Sequence, residues 1–492
     1  MYLGLDLGTS GIKAVVIDAL GNLVATANAE IDVANPHPLW SEQQPEDWWT
    51  ACISAVAGVR AQLGERSAQI KAIGLAGQMH GATFLDDQGN VLRPCILWND
   101  GRSAEQCLQL ETALPDFRER SGNLAMPGFT APKVLWVAQH EPDVFARTRK
   151  IVLPKDYLSY RLTGHFCSDM SDAAGTLWLN PAERDWDDAL LHATGIDRSY
   201  MPELLEGTGI AGSLTESATA ALGLPSIPVV IGGGDNACGA IGVGVTEPGD
   251  AFISLGTSGV VFVVSDGHCA SPENTVHAFC HCLPHRWHQM SVSLSAANSL
   301  SWLANIVGMP VADLLAELDT QRLTQTDVLF LPYLSGERTP HNDAHASGVF
   351  FGLKNSATRA DMTLAVLEGV AFSFADGMRA LAAAQSPIND ITLIGGGARS
   401  PRWRQIITDV LQRELTFRDG GEVGPGLGAA RLAHLSEFQH LDADAFNAKV
   451  AAICPPPPVV QVHKPQLAAQ TYYQKKLDRY RVLYQQTRML NR

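Results

Sequence analysis

Leu7-Gly8-Thr9-Ser10-Gly11 recurs word for word as Leu255-Gly256-Thr257-Ser258-Gly259, half a chain further on. The flanks recur too. Residues 2–7 and Ile12 to Asp18 read as two strands around the first copy. Ala251 to Leu255 and Val260 to Ser265 read the same way around the second. Each copy is therefore read as a β-hairpin with a Gly-Thr-Ser-Gly turn. Five such residues can coincide by chance, but both copies also hold the same position in their half. The expectation is two related α/β domains facing each other, divided as 1–244 and 245–492, each presenting a glycine turn.

The chain has 492 residues, enough for about three ordinary domains or two large ones. Hydrophobic residues make up 46% and charged residues 18%, a core-forming composition. The net charge of −15 excludes the electrostatic footprint of a nucleic-acid or anionic-membrane binder. A phosphorylated ligand must be held locally, by backbone N–H groups, a metal or a few placed cations. Nine scattered cysteines point to a reducing compartment. The opening Met-Tyr-Leu-Gly-Leu-Asp has no basic region and no apolar run approaches the ~18 residues of a spanning helix, so a cytoplasmic protein is expected.

Outward from the first hairpin the pattern is mixed α/β. A third strand is expected near Leu23–Ile31, then a helix over Pro45–Leu63, with proline in its first turn and Glu46 and Asp47 at its positive end. Ile70–Ala76 reads as a buried strand running into the loop Gly77-Gln78-Met79-His80-Gly81. In the second half, Leu364, Leu367, Ala371, Phe374 and Met378 recur at helical spacing. Asp390–Ile394 is a strand running into Gly395-Gly396-Gly397-Ala398, and Pro401 opens a helix. Beyond the stiff Pro455–Pro458 lies a terminal helix with Tyr473, Leu477, Tyr480 and Tyr484 on one face, expected to pack across the domain junction or to form a homodimer contact.

Glycine turns let backbone N–H groups converge on a ligand, and Thr or Ser beside them add hydroxyl donors. Gly8, Thr9 and Ser10 with Gly256, Thr257 and Ser258 therefore suggest a polyphosphate clamped between two hairpins, and Lys13 is a candidate cation. No Gly-x-x-x-x-Gly-Lys-[Ser/Thr] loop occurs. Asp6 ends an apolar strand and is either a magnesium partner or a turn cap. Asp235 follows Gly232-Gly233-Gly234 and is either a general base or an ordinary helix N-cap. Gly232-x-Gly234-x-x-Ala237 also matches a loose dinucleotide pattern, but no acidic residue stands at the required distance. Gln78, Met79, His80, Trp98 and Asp100 offer the mixed polar and apolar surface a sugar needs. His277, Cys280, His281, Cys282, His285 and His288 form a dense cluster whose spacing does not match a zinc site.

These residues bring a family into view. The chain resembles the FGGY carbohydrate kinases from its N-terminus to about residue 435. Asp6–Gly11 and Ser254–Gly259 resemble the family's phosphate hairpins, and Leu393–Ser400, with Gly396, Gly397 and Ala398, its adenosine segment. Gly128 to Trp136 and Gly348 to Leu353, continuing through Asp361 to Glu368, resemble its two signatures. The resemblance implies two actin-like domains of ribonuclease-H type with the active site in the cleft between them, and ATP and Mg²⁺ as cofactors. Gly77–Gly81 is similar to the loop of members that phosphorylate D-xylulose. It implies that Met79, His80 and Asn236 contact the sugar, that Asp235 is the catalytic base, and that Asp6 works with Mg²⁺–ATP, directly or through water. A kinase of the same family acting on another pentulose or a polyol, and an actin-like ATPase switch, are the competing readings.

Overall fold

The computed structural model describes residues 1–321, 324–384, 387–418 and 424–490. Two β-sheets carry the fold. The first has six strands in the order Leu23–Glu30, Gly11–Ile17, Tyr2–Gly8, Ala72–Gly77, Pro228–Gly234, Ile210–Ser213. The second has seven, in the order His277–Cys280, Trp287–Ser293, Gly259–Ser265, Asp250–Leu255, Asp390–Ile394, Leu415–Arg418, Val459–His463. Apart from the extra edge strand His277–Cys280, the two orders correspond strand for strand. The pairing senses correspond too: each hairpin is antiparallel, the next two pairings are parallel, and the last is antiparallel. The pentapeptide repeat thus marks a repeat of whole domains.

The two copies of the pentapeptide nevertheless turn differently. Gly8 pairs with Gly11, which leaves the two-residue loop Thr9-Ser10, whereas Leu255 pairs with Gly259 and leaves Gly256-Thr257-Ser258. Their tertiary partners explain the difference. The Thr9 carbonyl accepts from Gln43 Nε2 at 2.6 Å and the Ser10 carbonyl from the Ile31 N–H at 3.0 Å. In the second hairpin the Gly256 and Thr257 carbonyls accept from the N–H groups of Ala297 and Ala296, at the start of the helix Ala297–Val307. Identical residues therefore present different atoms to the cleft.

The expected helix at Pro45–Leu63 forms over those residues and buries Trp48, Cys52, Ala55, Val56 and Val59 against the first sheet. The helical stripe of the second half belongs to Arg359–Ala383, started by a capping box between Thr358 and Asp361. After Pro455–Pro458 the chain adds the edge strand Val459–His463, which its exposed valines and flanking prolines concealed from the sequence reading. The terminal helix Leu467–Thr487 buries Tyr473, Leu477, Tyr480 and Tyr484 in the core of the second domain. Tyr480 shares a 2.8 Å hydrogen bond with Tyr333, and Lys476 is ion-paired with the buried Glu368.

The helix Gly424–Leu435 departs from the expected division. It comes from the second half of the chain and packs on the first sheet. Gly4 and Gly74 sit side by side in neighbouring strands beneath it. A Cβ on either would lie 2.0 Å from a backbone carbonyl of this helix, Gly426 or Ala429, so only glycine admits so close a contact. Among the described residues no single helix is long and apolar enough to cross a membrane.

Candidate active site

Three parallel strands of the first sheet end side by side. Asp6 is level with Ala76, and Gly77 is level with Gly234. Asp6, the loop from Gln78 to Gly81, and Asp235 are therefore delivered to one edge, the usual ligand position in such sheets. Asp235 opens the helix Asp235–Gly242, with Gly234 rather than the aspartate as its N-cap. Its Oδ1 accepts from the Asn236 N–H at 2.7 Å and from Asn236 Nδ2 at 2.9 Å, so Asn236 orients the carboxylate. Behind it, the Gly234 N–H donates to Ser171 Oγ at 3.1 Å, and Ser171 donates to Asp169. Burial raises the pKa of Asp235 to about 6, against the pull of the Asn236 hydrogen bonds. Burial, then repulsion from Asp235, raises Asp6 to about 7, and Lys13, its cross-strand partner, opposes this.

A cavity of about 280 Å³ opens in front of Asp235. Met79, His80, Trp98 and Asn236 line it from one side, and Ser254, Gly256, Thr257 and Ser258 from the other. Met79 packs so closely on the strand end that a Cβ at Gly234 would lie 2.9 Å from its Cγ. His80 lies in the left-handed region (φ 70°) with Nδ1 2.8 Å from the Gly175 carbonyl, and burial lowers its pKa to about 3, so the ring is neutral. Lys133, from the first family-like signature, donates to the carbonyls of His80 (2.9 Å) and Gly128 (2.7 Å) and so fixes the loop from beneath.

A second cavity, of about 1120 Å³, is lined by Gly396, Gly397, Leu300, Val311, Leu315 and Trp403 among others. This is an apolar shelf bordered by a glycine turn, the surface that a purine and ribose require. Gly256 and Thr257 line both cavities. The second hairpin is thus the shared wall between the larger pocket and the one that holds Asp235.

Several of the expected residues do not line these two cavities. Asp100 is buried away from the cleft, where it pairs with Arg102 at 2.7 Å and accepts from the Ser41 N–H. The sequence places it near Trp98, but the arginine two residues on captures it. Gln78 is also buried: it accepts from Thr9 Oγ1 at 3.0 Å and donates to Gln43 at 2.9 Å. Trp98 Nε1 donates to the same Thr9 hydroxyl at 2.9 Å. Thr9 and Gln78 therefore tie the first hairpin to the sugar loop instead of facing the cavity. Gly8, Ser10 and Lys13 belong to that hairpin, outside the cavity wall. Ala398 is buried, and its carbonyl accepts from Arg404 at 2.6 Å.

Other cavity residues were not singled out as sugar contacts. Arg338 lines the cavity beside His277 and Phe279. The one sequence signal for Arg338 is a Glu-Arg pair in the Gly/Pro-rich loop after the apolar run at 328–334. The His/Cys cluster is dispersed by strand pairing. His277 stacks on Phe279 in the cavity wall, while His281 and His288 are buried around Phe262. Among the described residues no group of three His, Cys, Asp or Glu side chains could hold a metal ion. Asp6 and Asp235 are hard oxygen donors held above their usual pKa. Of the two, Asp6 suits a magnesium ion that arrives with phosphates and water as its other ligands.

Residues 1–242 match the N-terminal domain of the FGGY family of carbohydrate kinases, and residues 251–437 match its C-terminal domain. The chain belongs to this family. The kinase is 50% identical over 487 residues to the xylulose kinase of Escherichia coli strain K12, covering 99% of both chains. It is 50% identical over 466 residues to that of Klebsiella pneumoniae, covering 94% of each. Among solved structures, a xyloylose kinase from Brucella ovis superposes with a TM-score of 0.93 at 47% identity over 99% of both chains. The xylulose kinase of Rhodospirillum rubrum gives 0.89 at 27% identity, over 100% of this chain and 99% of the other. The two-domain α/β architecture expected from the repeat is the fold of these kinases.

Proposed function

We propose that this sugar kinase transfers the γ-phosphoryl group of ATP to the 5-hydroxyl of D-xylulose, giving D-xylulose 5-phosphate and ADP. The observation that carries the proposal is the Gly256–Thr257 wall, shared by a nucleotide-sized pocket and a small cavity of mixed polar and apolar lining that contains a buried carboxylate. The identity to two xylulose kinases supports the choice of sugar.

In this reading adenosine lies on the Leu300–Leu315–Trp403 shelf and the triphosphate runs along the second hairpin. The sugar sits against Met79, His80 and Asn236 with its reacting hydroxyl at Asp235. Asp235, oriented by Asn236, accepts that proton as the phosphorus–oxygen bond forms. A neutral His80 meets sugar hydroxyls without placing a charge beside the base. The buried walls exclude water, which would otherwise compete as nucleophile. Asp6 would hold magnesium, directly or through water, and the ion when bound would neutralise charge on the phosphates. We further propose that the functional division falls near residue 244, and that the enzyme works in the cytoplasm, where its nine unpaired cysteines remain reduced.

The test is ADP release from purified protein with a panel of ketoses and polyols. Turnover that is fastest with D-xylulose is expected. Preference for another pentulose would overturn the substrate, and ATP hydrolysis indifferent to every sugar would favour a switch ATPase.

A further inference from the structure

Arg338 stands out in the cleft. It is the one cationic side chain in the wall of the Asp235 cavity among the described residues. Its neighbour Glu337 acts on it through space but makes no direct side-chain ion pair with it. The Glu337 carboxylate is spent on Ser293 Oγ (2.7 Å), the Leu294 N–H (3.0 Å) and the Arg338 backbone N–H (2.7 Å). On the other side Thr339 is clamped to Val292: its N–H donates to the Val292 carbonyl at 3.0 Å, and its hydroxyl accepts from the Val292 N–H at 3.0 Å. That hydroxyl also donates to the Thr275 carbonyl at 2.8 Å. The backbone on both sides of Arg338 is thus pinned. Among the described residues no carboxylate lies within ion-pair distance of the guanidinium; the charge of Glu337 offsets only part of the cost of desolvating it.

Its position along the cavity is defined. Arg338 Nη2 would lie 3.7 Å from a Cβ at Gly128, beside the carbonyl that Lys133 holds. Its charge bears on His80, His277 and Lys133, so it stands on the side of the cavity built by Gly128 and the edge strand His277–Cys280. Asp235 enters the same cavity from the end of the strand Pro228–Gly234 in the first sheet, so Arg338 and the base approach it from different elements. If the hydroxyl being phosphorylated is at Asp235, a different part of the sugar is at Arg338.

Resting on the D-xylulose reading, we propose that Arg338 binds the carbonyl end of the ketose and selects it against the corresponding polyol. A guanidinium only donates hydrogen bonds and a carbonyl oxygen only accepts them, whereas a hydroxyl must first turn its own hydrogen away. The side chain would act in substrate binding, not on the transferring phosphoryl group.

Arg338→Met should raise KM for D-xylulose by about 10- to 100-fold, the value of a lost charge-assisted hydrogen bond. KM for ATP should stay within about twofold, and the preference for D-xylulose over xylitol should collapse, with Arg338→Lys retaining part of it. Two results would overturn the proposal: an unchanged sugar KM in an Arg338→Met protein that melts and binds nucleotide like wild type, or a fall in kcat with a changed KM for ATP and an unmoved sugar KM. Should the variant fail to fold, wild-type enzyme can be treated with an arginine-selective dicarbonyl and Arg338 followed by peptide mass spectrometry. D-xylulose, and not ATP alone, should protect it; equal labelling with and without sugar would refute the role. Protection by a different ketose that the wild type does phosphorylate would fault the D-xylulose reading and support the role of Arg338.

Discussion

Asp235 and Asp6 stand at the ends of two strands separated by a third, and the charge of Asp235 helps to keep the proton on Asp6. The ionised Asp235 adds to burial in lifting Asp6 to about 7, while Asp235 itself titrates at about 6. Free enzyme at neutral pH thus carries a strained pair of carboxylates that a magnesium–nucleotide complex would relieve.

The first prediction concerns pH. A base must be ionised to work, so activity is present above its pKa and lost as pH falls through it. The kcat/KM profile should fall on the acid side through apparent pKa values near 6 and 7. With the cation bound, Asp6 is drawn downward, so the acid limb of kcat should lie at lower pH than that of kcat/KM. Coincident limbs would show that Asp6 does not meet the metal.

Asp235→Ala should lower sugar phosphorylation by about 10²–10⁴, the usual value of a positioned base. Nucleotide affinity, measured by fluorescence of a bound analogue, should be retained. Turnover like wild type would remove Asp235 from the base role.

Asp235→Asn should be inactive yet more heat-stable than wild type at pH 8. The folded-state pKa of Asp235 is raised, so the native protein binds its proton more tightly than the unfolded chain, and ionisation costs stability as pH rises from about 4 to about 6. The gain in Tm should therefore shrink to about half at pH 5, midway through that window, and nearly vanish at pH 4. A gain independent of pH would mean that another cause is at work.

Asp6→Ala should raise the magnesium concentration needed for half-maximal rate and leave the sugar KM close to wild type. A superimposable magnesium titration would exclude Asp6 from the metal's surroundings.

Gly74→Val should destabilise the fold by about 3 kcal/mol or more, because its side chain would meet the Ala429 carbonyl and neither backbone can retreat. The readout is Tm. A variant melting with the wild type would mean that the helix above it shifts freely.

Much of this was legible in the chain. The hairpins announce themselves because glycines bound a short polar turn between apolar strands, and the Pro45–Leu63 helix because proline and two acids mark its start. The convergence of Asp6, Met79, His80 and Asp235 followed from their placement at strand ends. What escaped depends on partners far away in sequence. Arg338 is placed by Thr339 gripping Val292, and Asp100 is taken out of the site by Arg102 and Ser41. The one-residue difference between the hairpins cannot be read from identical pentapeptides, because Gln43 and the helix at Ala297 decide it.

The return of the Gly424–Leu435 helix makes the molecule a clasp. The polypeptide leaves the first sheet, builds the second, and comes back to close over the first from behind, so the halves are tethered by more than one crossing. A gene split near residue 244 would yield two fragments, one with a bare glycine-smooth sheet and one with a stray helix, and each would be obliged to find the other.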